Sequence, residues 1–132
     1  MTQRLGIDTS VLVRLTTGEP EQDFQRCVDE LRALVEDSGN EIFASNQVIG
    51  EAYVTMQHHY GVSSADARAA LVDVLTSGLV APLNGHSVIL ALQSEGGPGL
   101  FDRLIADDYS RAGLETLTLD RRMASLPMVR RL

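Results

Sequence analysis

Four carboxylates and one hydroxyl pose the chemical question. Asp8 ends the apolar run of "RLGID" and is followed at once by Thr9 and Ser10. Glu51 sits in "SNQVIGEAYVTM", Asp102 opens "DRLIADD", and Asp120 closes "ETLTLD" with Thr118 two residues before it. Residues two apart on a strand share a side, so Thr118 and Asp120 belong together. A cluster of carboxylates repels itself and persists only where something cationic offsets the charge. An all-oxygen set suits Mg²⁺ or Mn²⁺ rather than zinc. Asp8 also has a purely structural reading, because Asp, Thr and Ser all make good helix N-caps.

The elements that would position these groups alternate. Arg4 to Asp8 reads as a short buried strand, with a helix from about Ser10 to Leu15. "GEP" (18–20) breaks that helix, and Pro20 suits the first turn of a longer one reaching about Glu36. "DSGN" (37–40) is a turn. "EIFAS" (41–45) is a second strand, and Ser45 or Asn46 caps a helix to His59. "YGVSS" leads into a helix over Ala65 to Thr76, and "GLVAPL" (78–83) is a brief strand. His86 to Gln93 is helical, "SEGGPG" (94–99) is a loop, and Leu100 to Ala112 is a helix ended by Gly113. "LETLTL" (114–119) is a strand, followed by a helical turn and the extended "MVRRL". Strands alternating with helices imply an α/β fold with a mainly parallel sheet covered on both faces. Strand C-ends and helix N-termini then share one edge, so all four acids are expected on one rim.

Neighbouring residues sort the rivals. Around Glu51, Val48, Ala52 and Met56, flanked by Ile49 and Tyr53, form a packing surface, where an acid is costly unless used. His58 and His59 stand about two turns farther on and fall outside the site. On the wheel of the 100–112 helix, Asp102 shares a broad face with Ile105, Ala106 and Tyr109, while Asp107 and Asp108 fall about 140° and 240° away. Asp107 is spaced to pair with Arg103 or Arg111; Asp108 is an outer candidate that competes with Asp120 to complete the site. Arg14, Arg103, Arg121 and Arg122 are candidates for gripping phosphates, although exposed arginines are commonly plain surface.

Composition narrows the function classes. At 132 residues, 44% hydrophobic and 22% charged, the chain fits one globular domain over 1–132. Its net charge is −7, and all 11 basic residues are arginine. Acidic charge argues against loose nucleic-acid binding. Residues 1–99 hold 13 acids against five arginines, whereas residues 100–132 hold five against six. Without lysine there is no P-loop; a haloacid-dehalogenase-type phosphatase also lacks its lysine, and Ser10 stands where its second acid belongs. A response-regulator receiver fails on the same lysine. The single Cys27 excludes an internal disulfide and reads as a small core residue. With no signal-like segment or membrane-length apolar run, a cytoplasmic protein is expected.

"GIDTSVLVRL", "SNQVIGEAYVTM", "FDRLIADDYSRAG" and "TLTLDRR" together resemble, in order and spacing, the motifs of PIN-domain nucleases, especially the VapC-like toxins of type II toxin–antitoxin pairs. The resemblance spans nearly the whole chain. It implies a three-layer α/β/α sandwich and a Mg²⁺- or Mn²⁺-dependent endoribonuclease that attacks RNA with a metal-activated water. It also implies that Asp8, Glu51, Asp102 and Asp120 are the catalytic and metal-binding acids, with Thr118 beside the last. A cognate antitoxin and a homodimer are the implied partners. The alternatives are a PIN nuclease of RNA processing without an antitoxin, or an inactive PIN binding module.

Overall fold

The structure, a computed structural model, describes residues 2–132. Strand β1 (Arg4–Gly6) leads to α1 (Thr9–Thr17), α2 (Glu21–Arg32) and a π-helical turn (Ala33–Asp37). Next come β2 (Glu41–Ala44), α3 (Asn46–Tyr60), α4 (Ser64–Leu75), β3 (Ala81–Pro82) and α5 (His86–Gln93). The chain closes with α6 (Leu100–Arg111), β4 (Thr116–Thr118), a 3₁₀ turn (Met123–Ser125) and β5 (Val129–Arg131).

Local chemistry sets these boundaries. Asp8, Ser45 and Ser63 each cap a helix by accepting a backbone N–H with the side chain. Gly18 and Gly61 end α1 and α3 in the left-handed conformation, which glycine adopts without a Cβ penalty. The expected strand over 78–83 shrinks to two residues. Leu83 N still donates to Ala44 O at 2.8 Å, and the chain then turns, Gly85 N donating to the Pro82 carbonyl at 3.1 Å.

The chain is mixed α/β and all its strand pairs are parallel, but the strands form two sheets among the described residues. Strands β1, β2 and β3 run side by side in that order, with Leu5 opposite Ile42 and Phe43 opposite Ala81. Strand β4 pairs only with β5, Thr116 lying opposite Val129. The expectation of a single sheet rim carrying all four acids is therefore corrected. The C-ends of β1 and β2 share an edge, and β4 does not join it.

The core fills between the first sheet and its helices. Leu12, Ile49, Met56, Leu71, Val80, Val88, Leu92, Leu100 and Leu104 are its largest fully enclosed side chains. Cys27 packs half-buried against this cluster, and burial pushes its thiol up, so it is not primed as a nucleophile. No helix is long and apolar enough to cross a membrane among the described residues.

Candidate functional site

At the shared edge of β1 and β2, the start of α1 is tied to Glu51 on α3. Asp8 is the N-cap of α1, and its Oδ1 accepts from Val11 N at 3.3 Å and Ser10 Oγ at 2.5 Å. The next residue, Thr9, donates its hydroxyl to Glu51 Oε2 at 2.5 Å across 42 positions of sequence. Gln47, one turn before Glu51 on α3, donates to Glu51 Oε1 at 3.1 Å. The Ser10 hydroxyl, then the Val11 N–H, hold the Asp8 carboxyl below its usual range. Thr9, then Gln47, do the same for Glu51. Asp8 thus caps a helix, as its structural reading expects, and its neighbour Thr9 bonds the second acid.

The other two acids do not complete this corner. Asp102 lies half-buried in the first turn of α6 and makes no hydrogen bond or ion pair among the described residues. Asp120 is committed to its own turn: its Oδ1 accepts from Arg122 N at 2.7 Å and Met123 N at 3.0 Å. The Thr118 hydroxyl accepts from Asp120 N at 3.0 Å. Among the described residues, no three His, Cys, Asp or Glu side chains are gathered closely enough to hold a metal ion. The acids fit Mg²⁺ or Mn²⁺ in donor type, but this arrangement does not fit the four-acid cage that the sequence implies.

On helix α6, Leu100, Leu104 and Ala106 are the buried apolar residues, while Ile105 and Tyr109 are exposed. Asp107 faces inward with only 14% of its side chain exposed. Its carboxylate accepts from Asn46 Nδ2 (2.9 Å), Asn84 Nδ2 (2.9 Å) and Ser87 Oγ (2.6 Å), with Arg111 at 3.9 Å. Burial pushes the Asp107 carboxyl up, but these donors together outweigh it and leave the group below its usual range. The Asp107–Arg111 pair expected from spacing forms. The Arg103–Asp107 pair does not, because Arg103 turns back to the carbonyls of Pro98 (3.0 Å) and Gly96 (3.1 Å).

The candidate RNA arginines divide likewise. Arg14 pairs with Asp23 at 2.8 Å and ties α1 to α2. Arg122 donates to the carbonyl of Gly97. Arg121 alone of the four has no partner among the described residues and projects into solvent.

Two features of the site escape pattern reading. Gly50 interrupts α3 because the Phe101 ring occupies the place of its Cβ; an added Cβ would meet the ring at 2.5 Å. Asn46 is 4% exposed, spends its Nδ2 on Leu104 O and Asp107, and leaves Oδ1 buried without a partner. The signal for the first was a glycine in mid-helix, which costs about 1 kcal/mol against alanine unless packing requires it.

Comparison with known protein families, characterised proteins and solved structures finds no match for this chain. The functional argument therefore rests on the four sequence motifs and on the geometry.

Proposed function

We propose that the chain is an endoribonuclease of the PIN type, acting as the toxin of a toxin–antitoxin pair on a three-layer α/β/α scaffold. The observation that carries this reading is the Asp8–Glu51 corner. Thr9, the residue after Asp8, hydrogen-bonds Glu51 across 42 positions of sequence at a parallel-sheet edge, where α/β folds bind ligands. Hydroxyl and amide donors hold both carboxylates ionised across the neutral range. Ionised oxygens of this kind accept hydrogen bonds from water and orient it beside a phosphodiester. Of the four candidate arginines, Arg121 is left free for a phosphate among the described residues. Dependence on Mg²⁺ or Mn²⁺ belongs to the proposal through the sequence motifs and the all-oxygen chemistry, with Asp8 and Glu51 as its nearest ligands.

A second copy and an antitoxin are the proposed partners. Leu117, Leu119 and Leu132, all more than half exposed, are apolar surface open to them. One observation favours a second reading, a non-catalytic binding module: Asp102 and Asp120 do not gather with the first pair. RNA cleavage in Mg²⁺ or Mn²⁺, abolished by chelator, is the expected result. RNA binding without cleavage under any of these conditions selects the binding module.

A further inference from the structure

Between α3 and α6 lies a hollow of about 350 Å³ with Glu51 in its lining. Its floor is apolar: Leu104 is buried, while Phe101 and Ile105 are 39% and 41% exposed, with ring and side chain open to an occupant. Phe101 is seated against Gly50, so its ring is held close to α3.

The polar lining has a single character. Asn46 Oδ1 is unpartnered but fully enclosed, and Nδ2 is spent on Leu104 O and Asp107, so Asn46 shapes the wall without presenting a free group. Gln47 turns its Nε2 to Glu51 and leaves Oε1 without a donor. Asp108 accepts from Asn84 Nδ2 with Oδ1 at 2.8 Å and leaves Oδ2 open. The one lining carboxylate oxygen without a partner is thus that of Asp108, with the Gln47 amide beside Glu51. An occupant that uses them must bring an apolar face and N–H donors for a carboxylate.

We propose that this hollow takes an unstacked guanine base of single-stranded RNA, an inference that rests on the ribonuclease reading. Guanine offers N1–H and the N2 amino group side by side, matching a carboxylate, and its face matches Phe101. Adenine presents a ring acceptor where guanine has N1–H, and would face Asp108 unfavourably. Single-stranded RNA is read in this manner, by stacking on aromatic rings and by hydrogen bonds to the Watson–Crick edge. Hydrogen bonds to an ionised acceptor are about twice as strong as neutral ones. Because Glu51 lines the hollow and accepts from Thr9, a base bound there puts its own nucleotide beside Glu51.

The test is a ligand-observed NMR titration of the full chain in chelator with guanosine, inosine, adenosine and N-acetyl-argininamide. Guanosine is expected to bind about tenfold more tightly than adenosine, with inosine, which lacks the N2 amino group, between them. Asp108→Asn, at an exposed position, should lower guanosine affinity about tenfold and leave adenosine unchanged. Equal affinities for guanosine and adenosine, or an Asp108→Asn protein that binds guanosine as wild type does, overturn the proposal. So does tighter binding of the argininamide, which would make the hollow a seat for a protein side chain. No arm uses metal or cleavage, so these failures leave the nuclease reading standing. Guanosine selectivity in a chain that never cuts RNA would instead keep the base site and remove the nuclease.

Discussion

Replacing Asp107 with alanine removes the acceptor that three side chains from two other parts of the chain share. Hydrogen bonds to a charged group contribute roughly 1.5–3 kcal/mol each, so three independent ones would be worth about 4.5–9 kcal/mol. The donors are not independent of other support. Asn46 keeps the Leu104 carbonyl at 3.0 Å and Asn84 keeps Asp108 at 2.8 Å. Ser87 falls back only on a weak 3.5 Å contact to Asn84 O. The expected loss is therefore about 2–4 kcal/mol, large against a total stability of about 5–15 kcal/mol but not enough to unfold the chain. Urea unfolding at pH 7 measures it. The pH dependence has a fixed sign. Asp107's folded pKa is depressed, so its contribution is complete above the unfolded value of about 3.9 and is lost as pH falls through the folded value. The gap between wild type and Asp107→Ala should narrow on going below about pH 4. A variant within about 0.5 kcal/mol of wild type at neutral pH, or a gap that widens in acid, would refute the reasoning.

Three further outcomes follow from the same geometry. In chelator, Asp8→Ala should lose about 1 kcal/mol of thermal stability and Asp8→Asn almost none, because Asn caps as well as Asp; added Mg²⁺ should raise the wild-type midpoint more than that of Asp8→Asn. Gly50→Ala should stay within about 1 kcal/mol of wild type, helix propensity offsetting displacement of Phe101, yet lose guanosine binding in the same NMR titration. Arg121→Ala should lower the slope of log K against log salt for RNA by about 1, while Arg14→Ala should change unfolding stability and leave that slope alone.

Helix positions were legible because apolar spacing and end signals agree: α5 runs over 86–93 as its pattern predicts, and Gly61 and Ser63 bracket the α3–α4 junction. Parallel pairing was legible from the alternation of strands and helices. Which strands lie side by side was not, since β4 could join β1 or stand apart without changing any local pattern. That uncertainty carries straight into the site. Asp8 and Glu51 follow neighbouring strands, whereas Asp120 goes wherever β4 goes. On α6 the spacing offered Asp107 only the arginines one turn away, Arg103 and Arg111. Asp107 takes the inward place because Asn46, Asn84 and Ser87 supply donors there, and those partners lie 20 to 61 residues away in sequence.

The proposed nuclease requires Asp8 and Glu51 to act as one unit on RNA. Single-turnover cleavage of a single-stranded RNA with saturating Mg²⁺ or Mn²⁺ tests it most directly, comparing wild type, Asp8→Asn, Glu51→Gln and the double variant. Each single change should reduce the rate at least about a hundredfold, and the double should be little worse than either, because groups that work as a unit are strongly non-additive. Independent, multiplying losses, or wild-type cleavage by either single variant, would contradict it.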